Sequence, residues 1–270
     1  MAATCEYMSR CGTMKPPPAG YCWIRARVHD RLPGERLTEC RSQHSVGFMK
    51  TAGVSVVVPV YNNAATLPEL CRRVRAALDG RPVEIVLVDD RSTDDSLRVI
   101  ERLGERVVAH GQNRGQNAAV LSGLAQATEP LTCVLDADLE DLPEGLPVLL
   151  SGLDPAGASV VFSSREEPHS MGSRVFRWAI RRLFPSLPPH PCLCFAIDEG
   201  ARLALVARAR SGDYLPAVIG ALRLPATQVA IARAPRPAGR TAYSGSRRVR
   251  YAISMLASAC RVRWRRSSYE

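Results

Sequence analysis

Apolar and polar positions fall into two regimes along the chain. Residues 1–48 carry no sustained apolar period. They hold Pro16-Pro17-Pro18, scattered arginines and Cys5, Cys11, Cys22 and Cys40, the pattern of an irregular or disordered leader. Periodic sequence begins after Met49, which is therefore the expected initiator, with the leader an untranslated or disordered extension. Val54 to Val60 is an unbroken apolar run, the signature of a strand buried on both faces. Leu67, Leu70, Val74 and Leu78 then recur at helical spacing. The same alternation repeats: strand Val83–Val88, a helix through Leu97, Ile100 and Leu103, strand Val107–His110, helix Asn117–Ala127 and strand Leu131–Leu135. Such β-α-β-α-β-α-β order predicts an α/β fold, a Rossmann-like and mostly parallel sheet flanked by helices. Further on, a helix with Pro143 at its start, strand Ser159–Ser163, helix Val175–Phe184, a Pro-rich link over 185–191 and shorter elements to Ile231 follow. Residues 49–246 form the expected main domain. Residues 247–270 form a basic tail in which Val249, Ile253, Leu256 and Cys260 recur at helical spacing.

Charge changes the picture more than composition does. The 270 residues carry a formal net charge of +10, which favours phosphate-bearing ligands or an anionic membrane. Aromatics interleaved with the basic residues are few, so nucleic acid is not an expected partner. No stretch approaches the roughly 20 apolar residues of a membrane span, and no apolar signal segment opens the chain. The cysteines show no zinc spacing. The expected location is the cytoplasm, peripheral on the inner face of the membrane, with the arginine-rich tail meeting anionic lipid.

Polar residues collect after the strands, where open α/β sheets bind their ligands. The strand from Leu131 breaks off into Asp136-Ala137-Asp138-Leu139-Glu140-Asp141. Carboxylates at i and i+2 can turn toward one hard cation that keeps other positions open, as Mg²⁺ or Mn²⁺ does when it bridges a diphosphate. Asp89-Asp90 ends the second strand, and Ser92-Thr93-Asp94-Asp95 has helix-capping chemistry. His110, His169 and His190 are isolated in sequence and receive no chemical role.

The ordered segments Val58-Pro59-Val60-Tyr61-Asn62, Val88-Asp89-Asp90-Arg91-Ser92-Thr93-Asp94, Asn113-Arg114-Gly115-Gln116-Asn117 and Asp136-Ala137-Asp138 resemble those of family 2 glycosyltransferases of the GT-A fold. Within that family they are similar to the dolichyl- or polyprenyl-phosphate hexosyltransferases, as are Tyr214-Leu215-Pro216-Ala217 and Arg236-Pro237-Ala238-Gly239-Arg240. The resemblance implies a GDP- or UDP-hexose donor framed by Pro59, Tyr61, Asn63, Val88, Asp90, Asn113, Gly115, Asp136 and Ala137. It implies a divalent ion, Mg²⁺ or Mn²⁺, held by Asp136, Asp138 and Glu140. Arg165 and Arg236 would bind acceptor or donor phosphate. Asn63 stands where the family pattern has Glu, and Thr241-Ala242 where it has Ser-Lys.

The implied reaction is inverting, metal-dependent transfer of a hexose to a polyprenyl phosphate. A soluble family 2 enzyme acting on a small-molecule hydroxyl is the alternative, and it needs a carboxylate base. Asp213 is the sequence's first candidate for that base, beside Asp138 at the metal.

Overall fold

The computed structural model describes residues 51–154, 157–164, 171–234 and 245–265. Among them seven strands form one sheet in the order β3-β2-β1-β4-β6-β5-β7. The strands are β1 Val54–Val60, β2 Val83–Asp89, β3 Arg106–Ala109, β4 Leu131–Val134, β5 Val160–Ser164, β6 Phe195–Asp198 and β7 Ala226–Ala230. The helices are α1 Leu67–Ala77, α2 Ser96–Leu103, α3 Gln116–Gln126, α4 Leu146–Ser151, α5 Met171–Leu183, α6 Glu199–Arg208, α7 Leu215–Ala221 and α8 Gly245–Arg265. A 3₁₀ turn at Pro143–Gly145 opens α4. The expected leader and Met49 lie outside the described residues.

Strand β1 pairs in parallel with β2 and β4, and β2 with β3. Strand β6 runs antiparallel between β4 and β5, while β7 is parallel to β5. Successive strand residues point to opposite faces, so the central strands feed two cores. Val57, Val86, Val88 and Val134 pack on one side with Val120, Leu124, Leu215 and Ala259. Val54, Val56, Val58, Ile85 and Leu87 pack on the other with Leu67, Leu70, Val74 and Leu146. Helix α3 approaches closely because residue 123 is glycine: a Cβ there would overlap the Val57 side chain and sit 3.0 Å from Val88 Cγ2.

Connections from β1 run outward to β2 and β3, and β4 then returns to the other side of β1. That reversal creates a crevice between the carboxyl ends of β1 and β4. Pro59 fits its place there. Val57 O accepts from Leu135 N on the β4 side and Val60 O accepts from Asp90 N on the β2 side. Alternation therefore turns the donorless Pro59 nitrogen toward β4, just past the last β1–β4 pair at Val57 and Val134.

The tail is helical, with one face packed on the domain and another exposed. Ser258, Ala259 and Val262 are buried, with Met255 and Leu256 partly so. Ile253, 60% exposed, and the exposed Cys260 face outward. The packed face also carries polar contacts, Ser258 Oγ accepting from Tyr214 N at 2.9 Å and Met255 Sδ from Asn117 Nδ2 at 3.8 Å. Among the described residues no helix is long and apolar enough to cross a membrane.

Candidate active site

Four loops meet at the crevice, and Asp90 organises the first two. Its carboxylate is buried and accepts from Arg114 N at 2.8 Å and Gly115 N at 2.7 Å. Its backbone oxygen accepts from Asn113 Nδ2 at 3.1 Å. Gly115, at φ 87°, caps α3, a backbone state that favours glycine. Asp90, Asn113 and Gly115 are thus brought together as one turn. His110, which sequence reading passed over, completes it: Nδ1 lies 2.8 Å from Asp90 Oδ1 and Nε2 lies 2.9 Å from Ser122 Oγ. Its position just past the end of β3, level with Asp90 just past the end of the neighbouring β2, is the signal that could have found it.

The β1–α1 loop is stitched to the β2–α2 loop. Asn62, at φ 58°, accepts at Oδ1 from Thr93 N at 2.7 Å, and its own N–H donates to Ser92 Oγ at 3.1 Å. Asn63 N donates to Ser96 Oγ at 2.9 Å. The capping chemistry of residues 92–95 is spent on this junction: Asp94 accepts from Ser96 N at 2.9 Å and Ala64 N at 3.2 Å. Burial tends to raise the Asp94 carboxyl, but the Ser96 hydroxyl and these N–H groups outweigh it and hold it below its ordinary value. Tyr61, 49% exposed, stands at the crevice mouth. Val88 does not: its side chain lies in the core between sheet and α3, so any contact it makes to a ligand is through its backbone.

The β4 loop closes the other wall. Asp136 Oδ1 accepts from Gln116 Nε2 at 2.7 Å, and Ala137 O accepts from Thr66 Oγ1 at 2.6 Å, tying this loop to α3 and α1. Asp138 is exposed, with Oδ1 accepting from Glu140 N at 3.0 Å across the left-handed Leu139, φ 61°. Glu140 turns away from the aspartates. Its Oε2 pairs with Arg233 Nη2 at 2.8 Å, while Arg233 Nε donates to the fully buried Asp141 at 2.7 Å. Ala234 N also donates to Glu140 O at 3.0 Å. Glu140 therefore clasps the β4 loop to the chain leaving β7. No three His, Cys, Asp or Glu side chains converge as a metal cage among the described residues. Asp136 and Asp138 offer hard oxygens at one crevice wall. That donor set fits an ion that takes its remaining oxygens from a diphosphate and water.

Asp213, the sequence's candidate base, sits in an ion pair. It is buried, and Arg265 Nη2 reaches both its oxygens at 2.6 and 2.8 Å while Arg210 N donates to Oδ2 at 2.9 Å. The carboxylate anchors the end of α8 through this half-buried guanidinium. Arg165 and Arg236 lie outside the described residues.

The sheet order, the crevice and the aspartates at its wall define a GT-A glycosyltransferase fold, and the Glycosyl transferase family 2 profile matches residues 55–191. The chain belongs to that family. It is 35% identical over 208 residues to an undecaprenyl-phosphate 4-deoxy-4-formamido-L-arabinose transferase of Pseudomonas aeruginosa, covering 72% of this chain and 61% of the relative. A Klebsiella pneumoniae protein of the same name is 32% identical over 205 residues, 71% of this chain and 62% of that one. The chain thus spans about three fifths of the length of these curated relatives. Among solved structures, mannosyl-3-phosphoglycerate synthase from Rubrobacter xylanophilus superposes with a TM-score of 0.63 at 20% identity, over 81% of this chain and 76% of that one. Glucosyl-3-phosphoglycerate synthase from Mycobacterium tuberculosis, in complex with Mn²⁺, UDP-glucose and phosphoglyceric acid, superposes with a TM-score of 0.59 at 19% identity, over 87% and 85% of the two chains.

Proposed function

We propose that this protein transfers a sugar, with inversion, from a nucleoside-diphosphate donor to a polyprenyl phosphate at the membrane surface. The observation that carries the reading is Asp136, oriented by Gln116 at the crevice where β1 and β4 part. The nucleoside would lie against Tyr61 and the Asp90 turn, with its diphosphate reaching Asp136 and Asp138. A divalent ion there, Mg²⁺ or Mn²⁺, would neutralise charge developing on the leaving diphosphate. Arg165 and Arg236 would meet the acceptor phosphate, for which a guanidinium supplies paired donors.

The acceptor follows from the relatives' named substrate and from the base. A phosphate oxygen is already ionised near neutral pH and attacks without proton removal, whereas a hydroxyl needs a carboxylate within reach. Asp213, the candidate for that task, is committed to Arg265. A panel of GDP-mannose, UDP-glucose, UDP-GlcNAc and a nucleoside-diphosphate 4-deoxy-4-formamido-L-arabinose, each with Mn²⁺ and undecaprenyl phosphate, tests the reading. One donor is expected to be consumed only when the lipid phosphate is present. Consumption driven equally by small-molecule alcohols would overturn the acceptor.

A further inference from the structure

A cavity of about 590 Å³ lies between the α6–α7 loop and the last turns of α8, lined by Arg210, Ser211, Gly212, Asp213, Arg261, Trp264 and Arg265 with Cys260. Its charge is one-sided. Arg210, Arg261 and Arg265 face one acid, Asp213, so the lining carries +2 (three minus one). Arg265 is already spent on Asp213 through both carboxylate oxygens. Arg210 and Arg261 are left as exposed cations on either side of the cavity. At its rim Trp264 is 87% exposed. Up the same helix Cys260, Ala257 and Ile253 are also exposed, at spacings of four, three and four residues that put them with Trp264 on one face. From Gly245 to Arg265 the helix contains no Asp or Glu.

We propose that this cavity seats the phosphate of an anionic phospholipid, with α8 lying on the bilayer. The proposal deepens the lipid-acceptor reading by naming where the protein holds the membrane, at a place built by other residues than the crevice. Two guanidiniums suit a phosphate through paired N–H donors. An indole at the rim suits the headgroup layer, where one edge is apolar and the other wet. The stripe from Ile253 to Trp264 supplies the apolar face an interfacial helix requires, beside the arginines that favour anionic lipid. The Asp213–Arg265 pair becomes the strut that fixes the end of α8 so that Arg261 and Arg210 face each other across the cavity.

The test uses the full-length protein with vesicles of phosphatidylcholine alone or with 30% phosphatidylglycerol, without donor or acceptor. Binding is read by co-sedimentation and by quenching of tryptophan fluorescence by brominated lipid. The wild type is expected to bind the anionic vesicles in a salt-sensitive way. Arg210→Gln with Arg261→Gln should weaken that binding by an order of magnitude or more, roughly fivefold for each guanidinium lost. Trp264→Phe should remove most of the quenching. Equal binding by wild type and the double variant would overturn the proposal, as would no preference for anionic over neutral vesicles. A melting temperature raised by inorganic phosphate in an Arg210/Arg261-dependent way, without vesicle binding, would assign the seat to a soluble phosphate and overturn the lipid. Because no turnover is read, failure of the transfer reaction leaves this result standing, and the reverse.

Discussion

Gln116 donates from Nε2 to Asp136 Oδ1 across 2.7 Å, joining the first turn of α3 to the end of β4. The contact crosses the crevice wall, so it fixes one aspartate while Asp138 stays exposed beside it. Loss of an orienting group costs rate more than it costs binding. Gln116→Ala should lower kcat about tenfold with little change in donor KM. Asp138→Asn should reduce transfer by at least about 100-fold while leaving Tm within roughly 2 °C, because the side chain is exposed and serves no core. Steady-state kinetics and a thermal melt check both; turnover surviving excess EDTA would remove the metal from the account.

Asp90 is a buried hub with three partners, and that sets the outcome of removing it. Asp90→Ala removes the acceptor of the half-buried Arg114 and Gly115 N–H groups and the partner of the buried His110, each contact worth about 1 kcal/mol or more. We expect a loss of about 2–4 kcal/mol in a denaturant titration together with weakened nucleotide affinity. Asp90→Asn keeps an acceptor and should recover part of the stability. Nucleotide affinity falling with stability unchanged would show instead that the carboxylate points at the ligand.

Arg233 joins the β4 loop to the chain leaving β7 through Glu140 and the fully buried Asp141. Arg233→Ala removes the guanidinium that pairs with the buried Asp141 carboxylate and should cost up to about 3–5 kcal/mol. Adding Asp141→Ala should restore at least about 1 kcal/mol, since the pair is then removed as a unit. A double-mutant cycle by urea unfolding measures that coupling.

Burial pushes the Cys71 thiol up to about 11 and the Cys133 thiol up to about 12, and raises Cys194 well above its ordinary value. The folded protein therefore holds these protons where the unfolded chain releases them. Their contribution is complete below an unfolded thiol value of about 8.5 and falls as pH rises above it. Iodoacetamide at pH 8 should modify the exposed Cys260 and spare Cys71, Cys133 and Cys194 until urea unfolds the protein. Peptide mass mapping reads the order of labelling.

Local periodicity carried most of the fold. The apolar run Val54–Val60 and the helical spacing Leu67, Leu70, Val74 appear where the pattern put them. The antiparallel insertion of β6 between β4 and β5 was not legible, because Phe195–Asp198 has the same apolar pattern whichever way it runs. At the crevice, sequence order brought Asp90, Asn113, Gly115 and Asp136 to one end of the sheet. The pairings that assign work to each side chain depend on loop geometry instead. Arg233 takes Glu140 from a distance of 93 residues and Arg265 takes Asp213 from 52. On α8 the helical period was legible, while the inward contacts of Ser258 and Met255, which pin its other face to the domain, depend on partners 44 and 138 residues away.

The central claim is lipid-phosphate glycosylation at the Asp136–Asp138 crevice. The most direct measurement is the mass of undecaprenyl phosphate after incubation with protein, Mn²⁺ and the accepted donor. The account predicts a product heavier by one glycosyl residue, formed by the wild type and absent with Asp138→Asn or EDTA. An unmodified lipid alongside a glycosylated small-molecule alcohol would contradict it.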